Sequence, residues 1–328
     1  MRRGLLLLLL LACASVLAQG GSSAPLEATA KQQPAELLLG VFGNASRFKQ
    51  LTGQRSTVRH VILGWDQGHT WGKRLPVLLN TLRPVPMVGF GTSKGWPNKR
   101  EAITPAGIAA GKGDDFLIAL NRAIAGFGGL VYLRPLAEMN GHWNVYCAFN
   151  HNGSSRGPAY STAIFKKAFA RIYLIAHGGP DVSAQLKRLG LPTVSAELAE
   201  NPELRVIWNP QGYGAPDIPA NSAQAYYPGD RYVDVVGNDL YDQGFKAEWE
   251  DAEKLYDAHP SKPYAFPEWG LWGVDDPAFV ERMARFVRMH KRVELIAYYD
   301  SKPGSTWDLG SKPRSLAAYR RLITTLGQ

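Results

Sequence analysis

The chain has 328 residues, 45% of them hydrophobic and 20% charged, with a formal net charge of +9. That is enough apolar material for a large core and excludes a disordered chain. The basic residues form no run interleaved with aromatics, which argues against a nucleic-acid partner. A dispersed basic surface suits solvation, or an acidic polysaccharide.

The N-terminus reads "MRRGLLLLLLLACASVLAQG". Two arginines, a short leucine run and small residues form a secretory signal, too short to span a membrane. Cleavage is expected after Ala18, giving a secreted or periplasmic protein. The alternative is a membrane-anchored lipoprotein, because "LLAC" loosely fits a lipobox that would make Cys13 the anchor. A flexible leader over residues 19–35 follows, and then a single domain over residues 36–328. The only other cysteine, Cys147, is left without an intramolecular partner.

Eight β-rich apolar runs come next, at residues 36–43, 58–65, 84–90, 130–138, 204–210, 232–241, 262–270 and 293–300. They are nearly continuous rather than alternating, the pattern of strands buried on both faces. Helical patterns fall between them at residues 114–127, 160–179, 247–260, 276–290 and 314–327. None is apolar enough over its length to cross a membrane. Eight strands alternating with helices predict an α/β fold, a closed (β/α)8 TIM barrel. A doubly wound sheet is the alternative, but "GVFGNAS" after the first strand carries neither a dinucleotide fingerprint nor a P-loop lysine.

In such a barrel the site lies at the carboxyl ends of the strands. Those ends carry Trp65 and Asp66; Glu138, Asn140, His142 and Trp143; Trp208 and Asn209; Asp239 and Tyr241; Glu268 and Trp269; and Tyr299. Glu138 and Glu268 each end an apolar run beside tryptophan-bearing loops. A pair of carboxylates across the barrel mouth is what cleavage of a glycosidic bond requires. Arg134 supports them as an ion-pair partner, and the plain structural alternative is that such a pair is all they form. Asn140, His142, Trp65, Trp208, Tyr299 and Trp272 are candidates to contact sugar, although packing explains the tryptophans equally well. The histidines show no metal-binding spacing, and no cofactor or metal is expected.

"RPLAEMNGHW" (residues 134–143) resembles the acid/base motif of the family twenty-six glycoside hydrolases. "AYYPGDRYVDVVGNDLY" (residues 225–241) is similar to that family's sixth-strand segment, and "FPEWG" (residues 266–270) to its nucleophile strand. The resemblance implies a (β/α)8 barrel and a retaining β-glycanase of the β-mannan or β-glucan type. It makes Glu138 the acid/base and Glu268 the nucleophile. Tyr241 falls where the family places a tyrosine bonded to the nucleophile, and Trp143 where it places a sugar-stacking indole. In the family a histidine usually precedes the acid/base, and here Ala137 stands in its place. His142 is a candidate to take over part of its role. The expected partner is a polysaccharide, and the expected state a monomer. The rival reading is a non-catalytic carbohydrate-binding barrel serving exopolysaccharide capture or assembly.

Overall fold

The computed structural model describes residues 37–95, 100–245 and 247–327. The expected signal, leader and Cys13 anchor lie outside them. All eight predicted apolar runs form strands: β1 (Leu38–Gly43), β2 (Val58–Leu63), β3 (Val85–Phe90), β4 (Val131–Pro135) and β5 (Leu204–Trp208). The sixth run is split into β6 (Val235–Gly237) and β7 (Leu240–Asp242), and β8 (Tyr264–Leu271) and β9 (Val293–Ser301) complete the set. Every pairing is parallel, in the order β6-β5-β4-β3-β2-β1-β9-β8-β7. The ring closes where β6 pairs with β8, Val236 opposite Tyr264. Because β6 and β7 both lie along β8, they are two parts of one stave. The fold is therefore an eight-staved (β/α)8 barrel, as the sequence predicts.

Helices cover the outside of the staves. The segment Asp114–Phe127 buries Phe116, Leu120, Ile124 and Phe127 along one face, the spacing that predicts it. Pro277–Met289 begins as expected, with the Asp276 side chain accepting from the Ala278 N–H at 2.9 Å. Short helices such as Ala45–Thr52 and Val182–Arg188 escape the sequence reading, because two turns hold too few apolar positions to set a period.

The core has two shells. The larger lies between staves and helices. The smaller fills the barrel with Val58, Val85, Met87, Tyr132, Ile207, Val235, Ala265, Leu295 and Ala297. Gly40 belongs to this tight interior, where an added Cβ would come within 2.8 Å of the Ala297 Cβ. Strand side chains alternate, so the inward row of β2 runs from Val58 to His60, and that of β4 from Tyr132 to Arg134. The barrel's lining thus changes from apolar to ionisable toward the strands' carboxyl ends.

Candidate active site

Arg134 is the hub. Its guanidinium is buried and spreads over three neighbours from three staves. Nε donates to Asn209 Oδ1 at 2.9 Å, Nη1 to Glu268 Oε1, and Nη2 to Asp239 Oδ2. A planar fork suits this task, since each donor direction finds a separate acceptor. The guanidinium pKa is pushed up: Asp239 and Glu268 outweigh a larger individual effect of burial that opposes them.

Glu268 lies within β8, a strand buried along its whole length. Its Oε2 accepts from the Tyr241 hydroxyl at 2.8 Å, while its Oε1 takes Arg134. Burial, and then the Glu268 charge, hold the Tyr241 phenol well above its usual range, so it remains a donor. Beneath the carboxylate, His60 Nδ1 is 3.9 Å from Glu268 Oε1. Burial, and next the Arg134 charge, push the His60 imidazole well below its ordinary pKa, which keeps it neutral.

Glu138 is presented differently. The chain leaves β4 through Leu136 and Glu138, both in the left-handed region at φ 50° and 52°. Side chains seldom tolerate this, and such strain concentrates at functional sites. The Glu138 N–H donates to Asn209 O at 2.6 Å, which fixes the turn. Its half-buried carboxyl accepts from Trp143 Nε1 at 2.6 Å on Oε2 and from Gln211 Nε2 on Oε1. Burial raises its pKa most and the nearby Glu268 charge raises it further, while Arg134 and the Trp143 bond pull it back. The net direction is upward, toward a carboxyl that keeps its proton.

The structure also sorts the remaining candidates. Trp143 is 36% exposed and faces solvent beside Glu138. Trp272, 43% exposed, leans on Tyr241 and Trp307 with ring centroids 6.0 and 5.1 Å away. Tyr299 stacks on Phe42 at 4.3 Å and meets Tyr241 edge-on, closing an aromatic wall beside Glu268. His142 packs against Trp143 and His151, with Nδ1 3.3 Å from Ala215 O.

Three expectations need correction. Trp208 is wholly buried against Tyr227 and His259, and Trp65 packs on Phe90 and Phe116. Both belong to the shell between staves and helices and offer no sugar platform. Asn140 is also wholly buried. Its amide donates to Gln211 O and Tyr213 O, each at 2.9 Å, and accepts from the Gln211 N–H. Asn140 therefore ties the loop after β4 to the loop after β5 and positions Gln211 rather than substrate.

Sequence reasoning passed over His60 and Gln211. His60 was open to discovery, because it shares the inward row with Val58. Gln211 had no local signal, being 73 residues from the carboxyl it meets. Tyr146 was also missed; its hydroxyl donates to Ala137 O at 2.6 Å. Among the described residues, no group of three or more His, Cys, Asp or Glu side chains is placed to hold a metal ion. No helix among them is long and apolar enough to cross a membrane.

The model of glycosyl hydrolase family 26 matches residues 207–266, from the end of β5 into β8, including Asn209, Asp239 and Tyr241. The resemblance to family 26 is borne out. Endoglucanase H of Acetivibrio thermocellus is 22% identical over 295 residues, covering 84% of this chain. The matched region is 28% of that enzyme, so this chain corresponds to about a quarter of its length. A Bacillus subtilis mannanase structure has a TM-score of 0.58 at 17% identity, covering 88% of this chain and 85% of its own. The family 26 domain of a Prevotella bryantii endo-β-mannanase/endo-β-glucanase has a TM-score of 0.57 at 15% identity, covering 86% and 89%. These structural likenesses establish the fold, a (β/α)8 barrel like that of the family 26 structures.

Proposed function

We propose that the chain is a retaining β-glycanase that hydrolyses β-linked polysaccharide, with Glu138 as acid/base and Glu268 as nucleophile. The observation that carries this reading is the unequal treatment of two neighbouring carboxyls. Glu268 accepts from Arg134 and Tyr241, which hold both of its oxygens on a rigid strand. Burial and the Glu268 charge favour the protonated form of Glu138. A carboxyl held toward its protonated form, beside a second held between two donors, divides acid and nucleophile work in this way.

In the first step Glu138 gives its proton to the glycosidic oxygen as that oxygen leaves the anomeric carbon. Glu268 forms a bond to the same carbon from the opposite face. In the second, the Glu138 carboxylate takes a proton from water, whose oxygen attacks the anomeric carbon and releases Glu268. Two inversions give net retention. Tyr241 and Arg134 hold the nucleophile between steps, and the wall of Trp272, Trp307 and Tyr299 gives sugar faces an apolar surface.

The named activities of the relatives, mannanase and endoglucanase, make β-mannan and β-glucan the first substrates to test. Ala137 in the position of the family's histidine weighs against assuming mannan. The leucine-rich N-terminus supports export. Incubation with mannan, mixed-linkage β-glucan, xylan and bacterial exopolysaccharides, read by new reducing ends, tests the proposal. Release from at least one is expected. Binding without release from any would favour the carbohydrate-binding barrel.

A further inference from the structure

Trp143 is a peripheral residue with a central task. Its ring is partly in solvent, and its indole N–H is committed to Glu138 Oε2. The ring rests on Gly141, where an added Cβ would lie 2.4 Å from Trp143 Cε2, so no other residue fits beneath it. Its loop lies outside any regular strand; the His142 N–H donates to Ala215 O at 2.7 Å and the Asn144 N–H to Gly141 O at 3.0 Å, and the carbonyls flanking Trp143 are taken by one side chain. Arg156 donates from Nη2 to His142 O and from Nη1 to Asn144 O, the carbonyls on either side of Trp143. Its Nε donates to Asn150 Oδ1 at 3.2 Å, and its own N–H to Ala148 O at 2.9 Å. Asn144 in turn donates from Nδ2 to Glu138 O at 3.0 Å. One guanidinium thus spans the loop behind Trp143 and is linked through Asn144 to the Glu138 backbone.

We propose that Arg156 is a positioning residue for the acid/base: by clamping the carbonyls of His142 and Asn144 it keeps the Trp143 indole on Glu138. The proposal rests on the reading of Glu138 as acid/base only for its kinetic consequence; the clamp itself is independent of activity. A lysine cannot replace the fork, since one ammonium does not reach two carbonyls and a side-chain amide in a fixed plane.

The test follows the Trp143 indole N–H by NMR, assigned with Trp143→Phe. In Arg156→Ala its exchange with solvent should quicken by about tenfold or more while core amides keep their protection. Turnover of the polysaccharide identified by the panel should fall by about tenfold. The burst rate of phenolate release from the corresponding 2,4-dinitrophenyl β-glycoside, whose leaving group needs little acid, should change by less than about twofold. Arg156→Lys should fall between parent and alanine variant. A merely structural role would lower both substrates together and leave the indole exchange of the folded protein unchanged. Unchanged indole exchange in folded Arg156→Ala, or in Arg156→Lys if the alanine variant does not fold, overturns the proposal. So do additive effects of Arg156→Ala and Trp143→Phe, because residues acting through one another are not additive. If the parent cleaves no polysaccharide, the glycanase reading fails, while the indole exchange still decides the clamp.

Discussion

The exits of β4 and β8 deliver the same functional group by opposite means. At β8 the carboxylate belongs to the strand: Glu268 lies within eight consecutive buried residues, with Arg134 and Tyr241 locking both oxygens. At β4 the strand ends at Pro135, and Glu138 is offered three residues later from a left-handed turn. Its partners, Trp143 and Gln211, come from loops. A nucleophile must hit one carbon along one line, which favours a rigid mount. An acid/base must release and regain a proton, which favours an environment that tunes its pKa. The difference between the two exits matches the difference between the two jobs proposed for Glu138 and Glu268.

The largest effect that can break this comparison is loss of the rigid partner. Glu268→Ala should lose at least about 10⁴-fold in kcat on every substrate, the scale seen when a covalent nucleophile is removed. Equal loss on activated and natural substrates, measured by initial rates, is the expected signature. Glu138→Ala should lose about 10²- to 10⁴-fold on polysaccharide, the range of general acid–base catalysis. On a dinitrophenyl glycoside it should keep a fast burst of phenolate release followed by slow turnover. Absence of the burst would remove Glu138 from the acid role. Tyr241→Phe takes a hydrogen bond from a charged group, worth about 1.5 to 3 kcal/mol. It should lower kcat roughly ten- to a hundredfold and leave KM within about twofold, because the bond serves the nucleophile rather than ground-state sugar binding.

The smallest effect concerns stability. The Glu138 carboxyl is raised in the folded chain, chiefly by burial. Between the ordinary carboxyl range and that raised value the folded state holds more protons than the unfolded one. Stability therefore falls as pH rises through this window, and the deficit persists above it. Glu138→Gln removes the titration. Its Tm should exceed that of the parent at neutral pH, and the gap should close below about pH 4, where the carboxyl is protonated in both states. A gap that widens in acid would reverse the assigned direction.

Much of this was legible in the sequence. Eight apolar runs became eight staves, and the two glutamates were found because each stands at the end of such a run. The same feature hid the orientation of the tryptophans: a run buried on both faces does not say which residues point inward, and Trp208 points out into the helix layer. The break in the sixth stave was not visible either, because the polar pair Asn238–Asp239 reads as the strand's end rather than an interruption. Asn140 drew attention for the right reason, a polar residue at a strand end, but its bonds go to the next loop. The supporting contacts are the least legible, since Arg134 reaches Asp239 and Glu268 across 105 and 134 residues. Local patterns carry no trace of such distances.

The central claim is that Glu268 attacks and Glu138 moves protons, and the anomeric configuration of azide-rescued products tests it most directly. With an activated β-glycoside, Glu268→Ala should give the inverted α-glycosyl azide, since azide fills the place the nucleophile vacates. Glu138→Ala should give the retained β-glycosyl azide, since azide then attacks an intermediate already formed on Glu268. Proton NMR of the anomeric signals distinguishes the two. The same configuration from both variants, or azide-independent wild-type rates in either, would contradict the assignment.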